Sequence, residues 1–83
     1  MMTKEEILAQ LKEVVQVVRP SVNLNEVNFD TRLVEDLAMD SLDKVSLQGF
    51  IEQTFGMEVP ADTMAAYANV EALANHIASA KTR

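Results

Sequence analysis

The chain has 83 residues, no cysteine, and 13 acidic residues against 7 basic ones, which gives a formal net charge of -6. This composition excludes disulfides, thiolate metal ligands and a cysteine nucleophile, and the acidic excess argues against nucleic acid or an anionic membrane surface as a partner. The length suits one small domain, residues 1–83, and the 5% aromatic content predicts an aliphatic core.

A first helix is predicted up to Val18. Thr3 and Glu6 have the spacing of a capping box. Pro20 disfavours a helical conformation in the residue before it, Arg19, so the helix should end there. The apolar residues between these signals recur at helical spacing and are Ile7, Leu8, Leu11, Val14, Val15 and Val18.

Residues 19–40 show no regular apolar period and are predicted to form a long loop. Scattered apolar side chains, such as Val27, Leu33 and Leu37, are expected to pin this loop across the helices. A short helical turn is expected to interrupt it. Loops of this length are uncommon in compact domains and are usually functional where they occur.

A second helix is predicted to begin at Asp40 or Ser41, either of which can cap it, with Asp43 in its first turn. Its apolar residues cover a broad arc, which predicts neighbours on more than one side. Gly49 lies inside the helix at a cost of about 1 kcal/mol relative to Ala, so either another segment approaches its backbone closely or the cost is tolerated. Gly56 provides a stop signal. The apolar residues are Leu42, Val45, Leu47, Phe50, Ile51 and Phe55.

Residues 57–60 are predicted to be a short connector, and residues 61–68 a brief helix with Met64 and Tyr67 turned inward. Asn69 then caps a last helix, whose apolar residues Val70, Leu73, Ala74 and Ile77 again follow helical spacing. The sequence therefore predicts an all-α fold, a four-helix bundle with three main helices and one short helix. A long loop joins the first and second helices.

Intrinsic catalysis is not expected. A nucleophilic serine needs a base within reach, and the single histidine, His76, lies on the predicted last helix and is expected to point outward. A Ser41–His76 pair is therefore disfavoured. One histidine with dispersed carboxylates does not form a metal site either. We predict no catalytic residue, no metal and no enzymatic activity.

Residues 36–43, with the sequence DLAMDSLD, closely resemble the attachment motif of acyl carrier proteins. Phe29 before the motif, the Phe55–Gly56 pair and the Val59–Pro60 pair extend the resemblance over most of the chain. The resemblance implies that Ser41 carries 4′-phosphopantetheine, transferred from coenzyme A by a phosphopantetheinyl transferase. The thiol of that arm would hold acyl groups as thioesters for the enzymes of fatty acid, polyketide or related biosynthesis.

The acidic residues around the motif have two interpretations. Asp40 and Asp43 are suited to capping a helix and complementing its dipole, and they are also suited to docking against basic patches of the transferase and of acyl-processing enzymes. Asp36 and Leu42 are predicted to share this docking surface, which Glu35, Glu52 and Glu58 extend more weakly. We expect a monomer without membrane insertion. Because no apolar run is long enough to span a bilayer and the start of the chain is too polar for a signal peptide, we expect a cytoplasmic location, or an organelle matrix after removal of a targeting segment.

Three departures from the family pattern bear on the partners. Ala38 stands where the family usually has glycine, although Ala tolerates a positive φ poorly. Lys44 and Gln48 replace residues that are typically more acidic or apolar, and the Gly49–Phe50 pair is also unusual. The acyl group and pathway stay open. The sequence also leaves open whether a set of apolar residues only forms the core or also lines a cleft for the acyl chain. These residues are Leu42, Val45, Leu47, Ile51, Met64, Tyr67 and Val70.

Two alternatives to a carrier are also open. One is an unmodified, carrier-like helical module for protein interaction, in which Ser41 serves only as a helix cap. The other is a small DNA-binding or regulatory domain, which the absence of a basic recognition helix disfavours.

Overall fold

A computed structural model describes residues 2–60, 64 and 66–81. In these residues the chain forms helix α1 over Lys4–Val18, helix α2 over Ser41–Phe55 and helix α3 over Val70–Lys81, with a short 3₁₀ turn at Leu24–Glu26. The all-α prediction is confirmed, as are the three main helices and the long loop between the first two. The brief helix predicted at 61–68 lies largely outside the described residues.

Helix α1 begins with the predicted capping box. The Glu6 backbone N–H donates to Thr3 Oγ1 at 3.1 Å, and the Thr3 N–H donates to Glu6 Oε1 at 2.8 Å. The hydrogen bond from the Thr3 backbone is the main reason why the pKa of the Glu6 carboxyl is lowered. One face of the helix is buried through Ile7, Leu11, Val14 and Val15. The predicted amphipathic helix is therefore confirmed at both its start and its core face.

Helix α2 packs against α1 with one face only. Arg19, which follows α1, contacts Asp43 in the first turn of α2, so the two helices run antiparallel. The face of α2 turned to the core carries Leu47, Ile51 and Phe55, which are all at most 3% exposed. The prediction that α2 has neighbours on more than one side holds in part: α1 and the connector at Val59 both contact the helix, whereas Leu42 and Val45 lie on an arc that is open to solvent.

The exposed face of α2 explains the unusual glycine inside the helix. A Cβ atom built on Gly49 would meet nothing within 4 Å. No segment of the described chain needs a glycine here, so its cost to the helix is tolerated. By contrast, Gly56 ends the helix in the left-handed conformation, with φ of 62°, as its position predicts.

The loop between α1 and α2 is anchored both to the core and to the start of α3. Its aliphatic side chains Val27, Leu33, Leu37 and Met39 are buried. Backbone hydrogen bonds then join it to the segment at α3: Leu33 N–H donates to Ala68 O at 2.9 Å, and Val70 N–H donates to Thr31 O at 2.9 Å. The loop is therefore a fixed part of the fold.

The start of α3 is capped by Asn69, as predicted, since its Oδ1 accepts from the Ala72 N–H at 2.9 Å. Val70, Leu73, Ala74 and Ile77 of this helix are buried. His76 is half-buried, and its Nδ1 lies 2.9 Å from the Tyr67 hydroxyl. The expectation that His76 points outward is therefore wrong, because a tyrosine beside α3 gives its ring a partner.

Two polar side chains of α2 hold the connector that follows the helix. Gln48 Nε2 donates to the Val59 carbonyl oxygen, and Glu52 Oε2 accepts from the Val59 N–H at 2.8 Å. Val59 is thereby fixed with its side chain in the core. The polar groups of Gln48 and Glu52 are therefore engaged in hydrogen bonds within the protein, although the sequence analysis considered both positions for their effect on partners.

Candidate functional site

The start of α2 is capped by two carboxylates that serve each other's backbone. Asp40 is the N-cap residue in an extended conformation, and its Oδ1 accepts from the Asp43 N–H at 2.8 Å. In return Asp43 Oδ2 accepts from the Asp40 N–H at 3.2 Å. Such a box satisfies backbone donors that a helix start leaves without intrahelical partners. The capping function at this position is therefore filled by aspartate.

Because Asp40 is the cap, the hydroxyl of Ser41 is left unused. Ser41 is the first residue of α2 and is exposed. In the described part of the chain its side chain has no hydrogen-bond partner. The sequence allowed either Asp40 or Ser41 as the cap, and the structure selects Asp40. The idea of Ser41 serving only as a helix cap is therefore wrong.

The surroundings of Ser41 suit a phosphodiester. The N-terminus of a helix carries a partial positive charge that stabilises a phosphate group nearby, and α2 has 15 residues. The side chain that follows, Leu42, is 77% exposed and turns away from the core. Both Ser41 and the side chain next to it, Leu42, are therefore exposed to solvent, which leaves room for a group attached at Ser41.

Leu42 is one of several apolar side chains that α2 presents to solvent. Val45 is 63% exposed and Phe50 is 37% exposed. The interpretation of Leu42 and Val45 as core residues is therefore wrong, whereas Leu47, Ile51, Met64 and Val70 are buried as expected. Docking at Leu42 stays a prediction, and its exposure is compatible with it.

Asp36, the first residue of the motif, has a local partner. Arg32 donates to its carboxylate from Nε at 3.2 Å, from Nη2 at 3.1 Å and from the backbone N–H at 2.8 Å. The side-chain hydrogen bond from Arg32 is the largest cause of the lowered pKa of Asp36, and it also raises the pKa of the Arg32 guanidinium. Asp36 therefore organises the loop turn before Ser41, and its part in docking stays a prediction.

Ala38 adopts the left-handed turn that glycine would adopt most easily. Its φ is 56°, and among the described residues it is the non-glycine residue with positive φ. Its N–H donates to Val34 O at 3.0 Å, and the Met39 N–H donates to Leu33 O at 3.0 Å. These bonds hold the turn even though the left-handed conformation costs an L-residue about 1–2 kcal/mol. Alanine at this position therefore adopts the positive φ that glycine would adopt without this cost.

The structure does not pair the serine with a base. His76 is engaged by Tyr67 at 2.9 Å, and the described residues contain no group of three or more histidine, cysteine or acidic side chains placed to hold a metal ion. In the described part of the chain, the Ser41 hydroxyl therefore has no base as a hydrogen-bond partner.

Two arginines near the site were not predicted from the sequence. Arg19 Nη1 lies 3.5 Å from Asp43 Oδ2, and Arg32 holds Asp36. The Arg32–Asp36 pair has a detectable signal, because opposite charges four residues apart meet in a helical turn. The Arg19–Asp43 pair has none, since only the packing of α1 against α2 brings these residues together.

Together, the fold and the site define a small helical domain that offers one free serine hydroxyl at the start of its central helix. Residues 5–77 match the model of the family described as "Phosphopantetheine attachment site". The chain is 35% identical over 81 residues to an acyl carrier protein of Rubrobacter xylanophilus, covering 98% of this chain and 99% of that protein. It is 30% identical over 80 residues to the acyl carrier protein of Chloroherpeton thalassium, covering 96% and 99%.

A third relative, the acyl carrier protein of a Sulfurovum species, is 45% identical over 60 residues, which cover 72% of this chain and 79% of the relative. The chain belongs to the acyl carrier protein family. It is a carrier whose prosthetic group is covalently attached 4′-phosphopantetheine. Members of this family serve as carriers for acyl-processing enzymes. None of the helices that the structure describes is both long and apolar enough to cross a membrane.

Proposed function

We propose that Ser41 is the residue that carries the 4′-phosphopantetheine arm, and that the chain delivers acyl thioesters on this arm to partner enzymes of fatty acid, polyketide or related biosynthesis. One observation supports this assignment above the others. The Ser41 hydroxyl is exposed and free of partners in the described chain, because Asp40 fills the cap of α2.

The attachment chemistry requires little of the chain itself. The Ser41 oxygen forms a new bond to the phosphorus that bears pantetheine, and the pyrophosphate bond of coenzyme A breaks. Adenosine 3′,5′-bisphosphate leaves, and the hydroxyl proton passes to a base on the transferase. The chain contributes an accessible oxygen and the positive end of α2, which stabilises the new negative charge.

The carrier is passive in the reactions that follow. When bound, the arm supplies the thiol that holds the acyl group. The protein has no cysteine, so no thiol of its own competes for the acyl group. The chain's residues position the attachment point and present it to partners, and we assign no catalytic residue to it.

The surface around Ser41 supports docking by enzymes with basic and apolar groups. We assign docking to Asp36, Asp40, Leu42 and Asp43, on a protein of net charge -6. Long-range attraction to Lys and Arg would speed encounter and weaken with salt. The exposed Leu42 provides an apolar contact beside the hydroxyl. A monomeric, cytoplasmic carrier that does not bind nucleic acid fits this assignment.

Intact-mass spectrometry tests the attachment site. The unmodified chain is incubated with a phosphopantetheinyl transferase, coenzyme A and Mg²⁺, and we expect a gain of one phosphopantetheine per chain. Ser41→Ala should show no gain. Ser46→Ala is the matched control, because Ser46 is also an exposed serine of α2, and it should be loaded like the parent. A parent chain that gains no mass, or a Ser41→Ala chain that is loaded, contradicts the proposal.

Docking at Leu42 is tested by the kinetics of the same transferase. Leu42→Ala should lower kcat/KM by roughly five- to thirtyfold, as expected for an apolar contact at an interface worth about 1–2 kcal/mol. Val17→Ala is the control, because Val17 is also an exposed aliphatic side chain, at 59%, but lies on α1. Equal kcat/KM values for Leu42→Ala and the parent would remove Leu42 from the docking surface.

A further inference from the structure

Lys44 is the fourth residue of α2 and the only basic residue in the sequence of that helix. The N-terminus of a helix carries a partial positive charge, which disfavours a cation close to it. Lysine is better suited to the opposite end of a helix, where its charge complements the dipole. The helix itself therefore does not account for a lysine at this position.

The ammonium group of Lys44 has no partner within the part of the chain that the structure describes. Its side chain is half-buried, but the ion pairs formed there involve other basic residues. The two nearest carboxylates have partners of their own. Asp40 Oδ1 accepts from the Asp43 N–H at 2.8 Å, and Asp43 Oδ2 lies 3.5 Å from Arg19 Nη1. Lys44 is therefore a cation that can pair with a further anion.

Lys44 shares one stripe of α2 with Ser41. Residues three or four apart are neighbours on a helix surface, with Cβ atoms about 5–6 Å apart. Helical side chains lean towards the N-terminus of their helix, so we expect the Lys44 side chain to lie over the turn that contains Ser41. Gln48, four residues further along, donates to the Val59 carbonyl oxygen. The stripe of Ser41, Lys44 and Gln48 therefore leads from the attachment point to the connector after α2.

Attachment of the arm would add an anion to this turn. A phosphodiester on Ser41 carries a negative charge and would lie next to the carboxylates of Asp40 and Asp43, which repel it. The positive end of α2 offsets part of this repulsion. Arg19 is already engaged by Asp43, at 3.5 Å. Lys44 is therefore the basic residue within one helical turn of Ser41 whose charge the described chain leaves uncompensated.

We propose that Lys44 is a positioning residue for the prosthetic arm, and that its ammonium group forms an ion pair with the phosphodiester on Ser41. This inference rests on the proposed attachment at Ser41. The ion pair holds the attached end of the arm along the stripe that leads to Gln48, and the rest of the arm stays free to reach partner enzymes. It also neutralises, in the loaded chain, a cation on the surface offered to basic docking groups.

NMR spectroscopy of the whole protein tests the ion pair. Lysine ammonium signals are recorded at low temperature and mildly acidic pH for the unmodified and the phosphopantetheine-bearing parent chain, with loading verified by intact mass. On loading, we expect the Lys44 signal to move and its exchange with water to slow by roughly two- to fivefold, as for an exposed ion pair. Lys12 is an internal control, because it is also half-buried but lies on α1, and its signal should not change.

Charge variants test whether the ion pair orders the arm. In chains loaded with ¹⁵N-labelled pantetheine, the heteronuclear Overhauser effect reports the mobility of the arm amide nearest the phosphate. We expect this amide to be more ordered in the parent and in Lys44→Arg, which keeps the charge, than in Lys44→Gln. Lys12→Gln removes the same charge from α1 and should match the parent. Added salt should reduce the difference between the parent and Lys44→Gln, because it screens exposed charges.

The outcomes separate this inference from the proposed function. A parent chain that is loaded without any change in the Lys44 signal overturns the ion pair and leaves Ser41 as the attachment residue. Equal mobility of the arm in the parent and in Lys44→Gln has the same meaning. Equal loss of order in Lys44→Gln and Lys12→Gln would be an effect of net charge, and it overturns the role of Lys44. A parent chain that cannot be loaded overturns both the ion pair and the attachment at Ser41.

Discussion

The two faces of α2 carry similar apolar residues, but one face is buried and the other is exposed to solvent. Leu47, Ile51 and Phe55 point into the core and are at most 3% exposed, whereas Leu42 is 77% and Val45 63% exposed on the other side. Hydrophobicity alone does not distinguish the two sets. Their position around the helix does, because α1 covers one arc of α2 and leaves the other in solvent.

The two faces of α2 differ in what burial contributes to the stability of the unbound protein. An apolar side chain in the core gains free energy from burial, roughly 1.5–3 kcal/mol for a full Leu or Ile side chain. An exposed one gains none of this until a partner covers it. Because Ser41 and Leu42 are neighbours at the start of α2, we expect the exposed face to be covered when an enzyme approaches the serine.

The largest expected effect comes from exchanging the same residue type on the two faces. Leu47→Ala should lower the free energy of unfolding by about 2–5 kcal/mol, because it leaves a cavity in the core. Leu42→Ala, its matched control, should change it by less than about 0.5 kcal/mol. Urea denaturation followed by circular dichroism measures both. A large loss in Leu42→Ala would mean that this face is packed in solution.

A second prediction concerns the two left-handed residues on either side of α2. Gly56→Ala should destabilise the fold by about 1 kcal/mol, because it forces a Cβ into a positive φ of 62°. Ala38→Gly should stabilise it by up to about 1 kcal/mol, since relief of the same cost is partly offset by the flexibility that glycine adds to the unfolded chain. Thermal unfolding of both variants measures the two changes in stability, which should have opposite signs. A destabilised Ala38→Gly protein would show that the turn carries no strain.

At the start of α2, Asp40 caps the helix and the adjacent Ser41 is the proposed attachment residue. Asp40→Ala should cost about 1 kcal/mol because it removes the N-cap, and Ser41→Ala should be within about 0.5 kcal/mol of the parent. Urea denaturation of the unmodified proteins gives both values. The reverse order would show that the serine hydroxyl caps the helix in solution and is not free for modification.

The smallest effect is a dependence of stability on pH. Arg32 lowers the pKa of Asp36 in the folded protein, so the unfolded chain binds a proton more readily near the usual pKa of about 3.9. The stabilisation is complete above that pH and is lost as the pH falls through the lower folded pKa. Asp36→Asn should be less stable than the parent at neutral pH, and this difference should shrink in acid. Urea titrations at pH 7 and pH 3 measure it, and a constant difference would contradict the prediction.

Much of the fold could be predicted because local signals and packing agree. The Thr3–Glu6 box, Pro20 after α1 and Gly56 after α2 act within a few residues of each helix end, and the structure retains all three. The motif at residues 36–43 likewise indicated the carrier family, because the resemblance is carried by a short run of residues. The family comparison agrees with that prediction.

The rest depended on contacts between distant parts of the chain. The sequence could not determine which arc of α2 faces α1, so it left open whether Leu42 and Val45 belong to the core, although it also predicted Leu42 on the docking surface. It did not predict the contact between Tyr67 and His76. It also offered Asp40 and Ser41 equally as caps, and the three-dimensional arrangement chose Asp40. The sequence determined the helices and the motif, because these depend on residues close together in the chain. Tertiary packing decided which apolar face of α2 stays exposed, and it brought Arg19 to Asp43.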